Sequence, residues 1–176
     1  TWIRVNGKKR YQNLRDDHEL YCAGHLIEAG VAHREATGET RLFDVAVRFA
    51  DQIERTFGDA PGKRPGYCGH PEVELALFRL AAATGEKRFR DLAVFFLEHR
   101  GEGFFAQEHA EGFVADYDGT YFLDHARLRD HRIITGHAVR ALYLLCAAAD
   151  LASLTGDASV LAMMDRVWKN ATLKRL

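Results

Sequence analysis

The sequence predicts an all-α chain of about three helical hairpins, the stacked units of an α/α toroid or solenoid. Three observations carry this prediction. Gly-His stands at or near the start of an apolar helical stretch three times, as Gly24-His25, Gly69-His70 and Gly136-His137. Each stretch then runs into Thr-Gly plus an acid, at Thr37-Gly38-Glu39, Thr84-Gly85-Glu86 and Thr155-Gly156-Asp157. A second amphipathic stretch follows every Thr-Gly. Repetition at hairpin length marks architectures in which each unit buries its apolar face only against neighbours. Three hairpins make an open arc, so residues 1–176 are expected to form a single partial domain of a longer protein.

The elements follow in order. Residues 1–15 are polar and irregular and form a leading segment. Asp16 or Asp17 is placed to cap the first helix by accepting its free N–H groups. That helix carries Leu20, Ala23, Ile27 and Val31 on one face to about Ala36, and Gly38 ends it. Thr40 is placed to cap the second helix, whose Leu42, Val45, Ala46, Phe49, Ile53 and Phe57 keep three-four spacing. A Gly- and Pro-containing loop covers 58–68. Pro71 is read as the first helical position of the third helix, where its missing N–H costs nothing. Val73, Ala76, Leu77 and Leu80 form the face of that helix, and Gly85 stops it. Phe89, Leu92, Ala93 and Phe96 carry the fourth helix to near Gly101.

Residues 101–134 lose helical period and mix aromatics with acids and histidines. A loop of that length is too long for a plain connector, and its place is expected on the active-site side. The fifth helix, about 137–154, is apolar almost all round and reads as buried on every side. The sixth, about 158–170, is amphipathic through Val160, Leu161, Met164, Val167 and Trp168. In each pair the first helix is richer in small apolar residues and suits an inner ring. The second has a charged back and suits an outer ring.

Composition bounds the function. The chain is 47% hydrophobic and 28% charged with a net charge of −1. Its basic residues are scattered, which excludes a nucleic-acid tract. No apolar run approaches the ~20 residues of a membrane span. No leader peptide is visible, and the expected location is cytoplasmic. Three cysteines, Cys22, Cys68 and Cys146, form an odd set without a tight pair, which suits free thiols better than a disulfide framework.

The chemistry rests on histidines, of which there are nine. His70, between Gly69 and Pro71, sits at a helix N-terminus, where backbone N–H groups favour an anionic or hydroxyl-rich ligand. It either binds such a ligand or caps the helix. His137 opens the fifth helix at the matching place, as a ligand-facing or a core imidazole. His25 lies about two turns inside the first helix. Gly24 beside it costs ~1 kcal/mol in a helix interior, which points to close packing or ligand approach. Cys22-x-x-His25 and Cys68-x-His70 offer zinc-type donors, but their spacings match no strong zinc pattern. Glu28, Glu72 and Glu74 lie on inner helices and serve either sugar hydroxyls and acid–base work or helix electrostatics. His99, His109, His125 and His131 have no evident partner. No nucleophile elbow, phosphate loop or H-E-x-x-H is present.

The stretches Asn13 to Glu28, Gly66 to Glu74 and Gly136 to Ala141 resemble the bacterial β-L-arabinofuranosidases of glycoside hydrolase family 127. The resemblance runs from about Tyr11 to Trp168, with three motifs in order. It implies an (α/α)6 barrel and retaining hydrolysis of β-L-arabinofuranosides. It also implies a zinc-bound cysteine nucleophile, a glutamate acid/base and further zinc ligands, all downstream of this region. Zinc is therefore expected in the full-length protein, and no catalytic residue or metal ligand in this chain. What carries over is a pocket-lining trio, His25, His70 and His137. The implied partner is an arabinofuranoside or related small glycoside, with no nucleic acid or membrane. The segment alone is expected to be inactive. Arg132-Ile133-Ile134-Thr135 departs from the family's more acidic, Gln-containing stretch before His137. An apolar edge where a fourth hairpin should pack would favour association, with a homodimer as the expected form. Two other readings are a different α/α-barrel sugar enzyme (an epimerase or unsaturated glycuronyl hydrolase) and a non-enzymatic helical-repeat module.

Overall fold

The computed structural model describes residues 10–108 and 117–174. His109 and Phe113, and most of the leading segment, lie outside the described residues. Seven helices appear among the described residues: α1 (Glu19–Thr37), α2 (Arg41–Thr56), α3 (Val73–Thr84), α4 (Lys87–His99), α5 (Phe104–Glu108), α6 (Ala138–Thr155) and α7 (Ala158–Lys174). They pair as three hairpins, α1 with α2, α3 with α4 and α6 with α7. The first helices of the pairs also pack on one another, α1 on α3 and α3 on α6. That arrangement is the inner layer of an incomplete α/α barrel, with α2, α4 and α7 outside it.

The Thr-Gly-acid repeat is one capping device used three times. Gly38, Gly85 and Gly156 adopt φ of 76°, 75° and 66°, and their N–H groups return to Arg34, Ala81 and Ala152. Glycine takes that left-handed conformation without a Cβ penalty. Each preceding threonine donates its hydroxyl four residues back, Thr37 to His33, Thr84 to Leu80 and Thr155 to Leu151, at 2.7–2.8 Å. The same oxygens accept the N–H of Glu39, Glu86 and Asp157. A dipeptide thus closes one helix and turns the chain into the next.

Helix starts differ from the sequence expectation. The cap of α1 is His18 and not Asp16 or Asp17, and it makes no side-chain capping bond. Asp16 and Asp17 instead belong to a turn in which their N–H groups donate to Asn13. Thr40 precedes α2 without a side-chain capping bond. Pro71 lies outside α3, which begins at Val73 with Glu72 before it. The Glu72 N–H is satisfied by the Glu74 carboxylate at 3.0 Å. The chain turns there rather than entering the helix, and Gly69 N–H is tied to the Leu14 carbonyl at 2.9 Å.

The expectation that the fifth helix is buried all round is corrected. In α6, Ala141, Leu144, Ala147, Ala148, Leu151 and Ala152 are buried, but Val139, Leu142, Cys146 and Leu154 are exposed. Its mean hydropathy of 1.4 over 18 residues would suit a membrane span. Its packing against α3 and α7 and the charge of Arg140 on its first turn place it in a helical layer instead.

The described parts of the stretch, 101–108 and 117–134, are organised by side chains rather than by helical period. Arg100 is fully buried and donates to Glu74 at 3.0 Å, to the Cys68 carbonyl at 2.5 Å and to the Phe122 carbonyl at 3.2 Å. Asp124 accepts the hydroxyls of Tyr67 and Tyr117. Glu108 at the end of α5 accepts the N–H groups of Leu14 and Arg15. These bonds fasten the segment over the starts of α1 and α3.

Candidate functional site

The three Gly-His pairs meet three different local demands. A Cβ on Gly24 would lie 1.5 Å from Glu72 Oε2, so α1 is bare there to admit that carboxylate. A Cβ on Gly69 would lie 2.0 Å from the Arg15 carbonyl oxygen, and one on Gly136 2.2 Å from that of Thr120. In each case the glycine lets another segment cross closely, and the crossing fixes where the next residue, the histidine, projects.

The structure brings the trio onto one connected strip. His25 is 42% exposed and meets Tyr21 edge-on at 4.5 Å, with Tyr143 of α6 at 6.0 Å. Tyr21 also faces His70 at 5.8 Å, and His70 lies 3.8 Å from the His18 ring. His70 Nε2 accepts from Arg140 Nη2 at 2.5 Å. The Arg140 guanidinium lies 4.5 Å over Tyr121, and Tyr121 meets His137 edge-on at 5.6 Å. The strip runs His25, Tyr21, His70, Arg140, Tyr121, His137, along one end of the inner helices.

Its electrostatics are unusual for a half-buried surface. Burial first, then the charge of Arg140, pushes His70 down to about 4. His70 is therefore neutral near pH 7, and the Arg140 bond leaves its proton on Nδ1. Burial also lowers Arg140, which pairs with no carboxylate among the described residues. Burial and the neighbouring Glu28 raise Glu72 to about 9. Orphan polar atoms concentrate here: His70 Nδ1, both Glu72 oxygens, His137 Nδ1 and Arg140 Nε lack protein partners. Buried polar groups are usually satisfied, so such a cluster calls for a proton, a water or a ligand to complete it.

His25, Glu28 and Glu72 bring one donor atom each within 4.8 Å, the only such group among the described residues. The cysteines do not fit a zinc–thiolate centre. Cys22 and Cys146 are exposed on separate helices. Cys68 is fully buried, donates to the His70 carbonyl at 2.9 Å, and has its thiol pushed far above the usual range by burial and Glu74. A thiol held protonated is a poor ligand.

His18, Tyr21, Arg140 and Tyr143 were not singled out from sequence. Only Arg140 left a trace, as the one charge in the apolar run 138–149. His99 instead contacts Asp59 and Glu102 on the outer side, and His125 packs on His131, so these stand apart from the strip.

An inner layer of hairpin helices with an outer layer behind it defines the class, an incomplete α/α barrel. The chain belongs to glycoside hydrolase family 127: the family described as "Beta-L-arabinofuranosidase, GH127 catalytic domain" matches residues 2–176. A non-reducing end β-L-arabinofuranosidase of Bifidobacterium longum subsp. longum is 36% identical over 181 aligned residues, covering 96% of this chain and 27% of the relative. The crystal structure of a GH127 β-L-arabinofuranosidase from Geobacillus stearothermophilus T6 superposes with a TM-score of 0.89 at 44% identity, covering 96% of this chain and 28% of that one. A further GH127 β-arabinofuranosidase structure gives 0.83 at 36% identity, over 94% and 24%. The chain thus spans about a quarter of the length of these relatives.

Proposed function

We propose that this chain forms a sugar-binding wall of a glycoside hydrolase acting on β-L-arabinofuranosides, with His25, His70 and His137 as its hydroxyl-binding groups. The half-buried imidazoles of His70 and His137 beside exposed Tyr121 are the observation that carries it. Neutral imidazoles exchange hydrogen bonds with hydroxyls in both senses. Aromatic rings supply apolar faces for the C–H side of a sugar ring. The relatives' names give the substrate class.

The nucleophile, the acid/base and zinc fall to the remainder of the enzyme in this reading. That division agrees with the placement of Cys22 on α1, Cys146 on α6 and Cys68 in the segment before α3, its thiol turned to the His70 backbone. It disfavours a barrel enzyme whose acid–base residue is Glu72, since that side chain is fully buried and cannot reach a substrate.

The test uses the protein expressed from its native reading frame and a chromogenic β-L-arabinofuranoside. Alanine at His25, His70 or His137 should each lower kcat/KM about tenfold, the equivalent of one neutral hydrogen bond or slightly more. Hydrolysis unaffected by all three substitutions would sink the assignment.

A further inference from the structure

Glu72 is a fully buried carboxyl group whose two oxygens receive no protein hydrogen bond. An unpaired buried carboxylate ion is costly, and such a group is neutralised by a proton or a cation. The surroundings choose between them. Around Glu72 stand His25 and Glu28 from α1, Glu74 from its own side, and Tyr143 from α6. Arg100 is committed to Glu74 at 3.0 Å. Arg79 is committed to Glu28 at 3.2 Å and to Glu35 at 3.5 Å. No arginine or lysine among the described residues is left for Glu72, only the His25 imidazole at 3.3 Å, whereas two further acids lie nearby.

A metal ion fits poorly in the same space. Glu72 Oε2 presses on α1 where a Gly24 Cβ would stand, 1.5 Å away. Glu28 Oε1 already faces the Arg79 guanidinium, which repels a second cation. A proton needs no room. His25 Nδ1 stands 3.3 Å from Glu72 Oε1, in contact but off the line of a hydrogen bond.

We propose that Glu72 is held as the neutral acid, donating its proton to the Arg79-bound Glu28 carboxylate, and that this carboxyl pair is the positioning element for His25. Glu72 touches no substrate. It fills the gap left by Gly24 and sets the imidazole edge that Tyr21 and Tyr143 flank. The raised acidity range of Glu72, to about 9, agrees with the geometry. The role for His25 rests on the sugar-binding reading above, whereas the protonation state does not.

The experiment compares wild type, Glu72→Gln and Glu72→Ala in the protein expressed from its native reading frame. Glutamine is the neutral isostere of the protonated acid, with an N–H for Glu28 and a carbonyl for His25. Difference infrared spectra of wild type against Glu72→Gln at neutral pH should show a protonated carboxylic acid carbonyl band present only in wild type. KM for the arabinofuranoside should rise in wild type as pH passes about 9. Glu72→Gln should abolish that alkaline rise and hold KM within about threefold of wild type at neutral pH, while Glu72→Ala raises KM roughly tenfold with less effect on kcat. A missing infrared band overturns the proposal. So does a bound metal ion lost in Glu72→Gln, or a Glu72→Gln defect as large as that of Glu72→Ala. If wild type does not hydrolyse arabinofuranosides, the sugar reading fails while the infrared band still decides the protonation state.

Discussion

Gly24→Ala tests how the barrel's inner layer is built. In a free helix this change stabilises by about 1 kcal/mol. Here the new methyl carbon would lie 1.5 Å from Glu72 Oε2, 2.6 Å from its Cδ and 2.9 Å from Val73 Cα. No side-chain rotation at Ala avoids this, because the Cβ position is fixed by the backbone. Overpacking of this kind costs up to about 3 kcal/mol. Subtracting the propensity gain leaves a net loss of about 2 kcal/mol. Hydrogen exchange reads it locally: α1 amides that open by separating α1 from α3 should exchange about 30-fold faster. A double-mutant cycle assigns the cause. In a Glu72→Ala background the two shortest contacts vanish, and of the three nearest the one to Val73 Cα remains. The penalty of Gly24→Ala should then shrink, with a coupling of about 1–2 kcal/mol. Slower exchange in Gly24→Ala would refute the reasoning, since intrinsic propensity would then outweigh packing at this position.

Two further outcomes follow from buried charges. Arg100→Met strands Glu74 as an unpaired buried acid and removes the donor to the Cys68 and Phe122 carbonyls. It should cost about 3–5 kcal/mol in a urea titration, and adding Glu74→Gln should recover part of that loss. His70 and His131 are both held near 4, each chiefly by burial, against an ordinary value of 6.5. A depressed imidazole resists protonation only in the folded state. Their contribution is present above 6.5 and is lost as pH falls from 6.5 towards 4. Urea midpoints should therefore fall over that window, and His131→Gln should flatten the slope there.

The hairpins were legible because their signals are local. Thr, Gly and the following acid lie within three residues of one another and bond among themselves and to the helix they close. Any chain window containing them announces the turn. Helix starts were misread at Asp17 and Pro71 because tertiary bonds decide them. Asn13 claims the aspartate turn and the Leu14 carbonyl claims Gly69. The three Gly-His pairs stand out in the sequence, but what their glycines answer to does not. Each glycine answers to a segment distant in sequence, Glu72, Arg15 or Thr120.

Tyr21, Tyr143 and Arg140 could not be read because they meet only where α1, α3 and α6 pack together. The protonated state assigned to Glu72 has the same origin. In sequence it is one acid of a Pro-Glu-Val-Glu helix start, where a negative charge is welcome. In the fold that charge faces Glu28 and the backbone of α1, and the proton replaces it. The exposed face of α6 has a similar cause. Apolar composition all round records what a helix is able to bury, whereas Leu142 and Leu154, 55% and 58% exposed, show that burial also needs a neighbour on every face. Within the described residues α6 has α3 on one side and α7 on the other, and neither covers the Leu142 face.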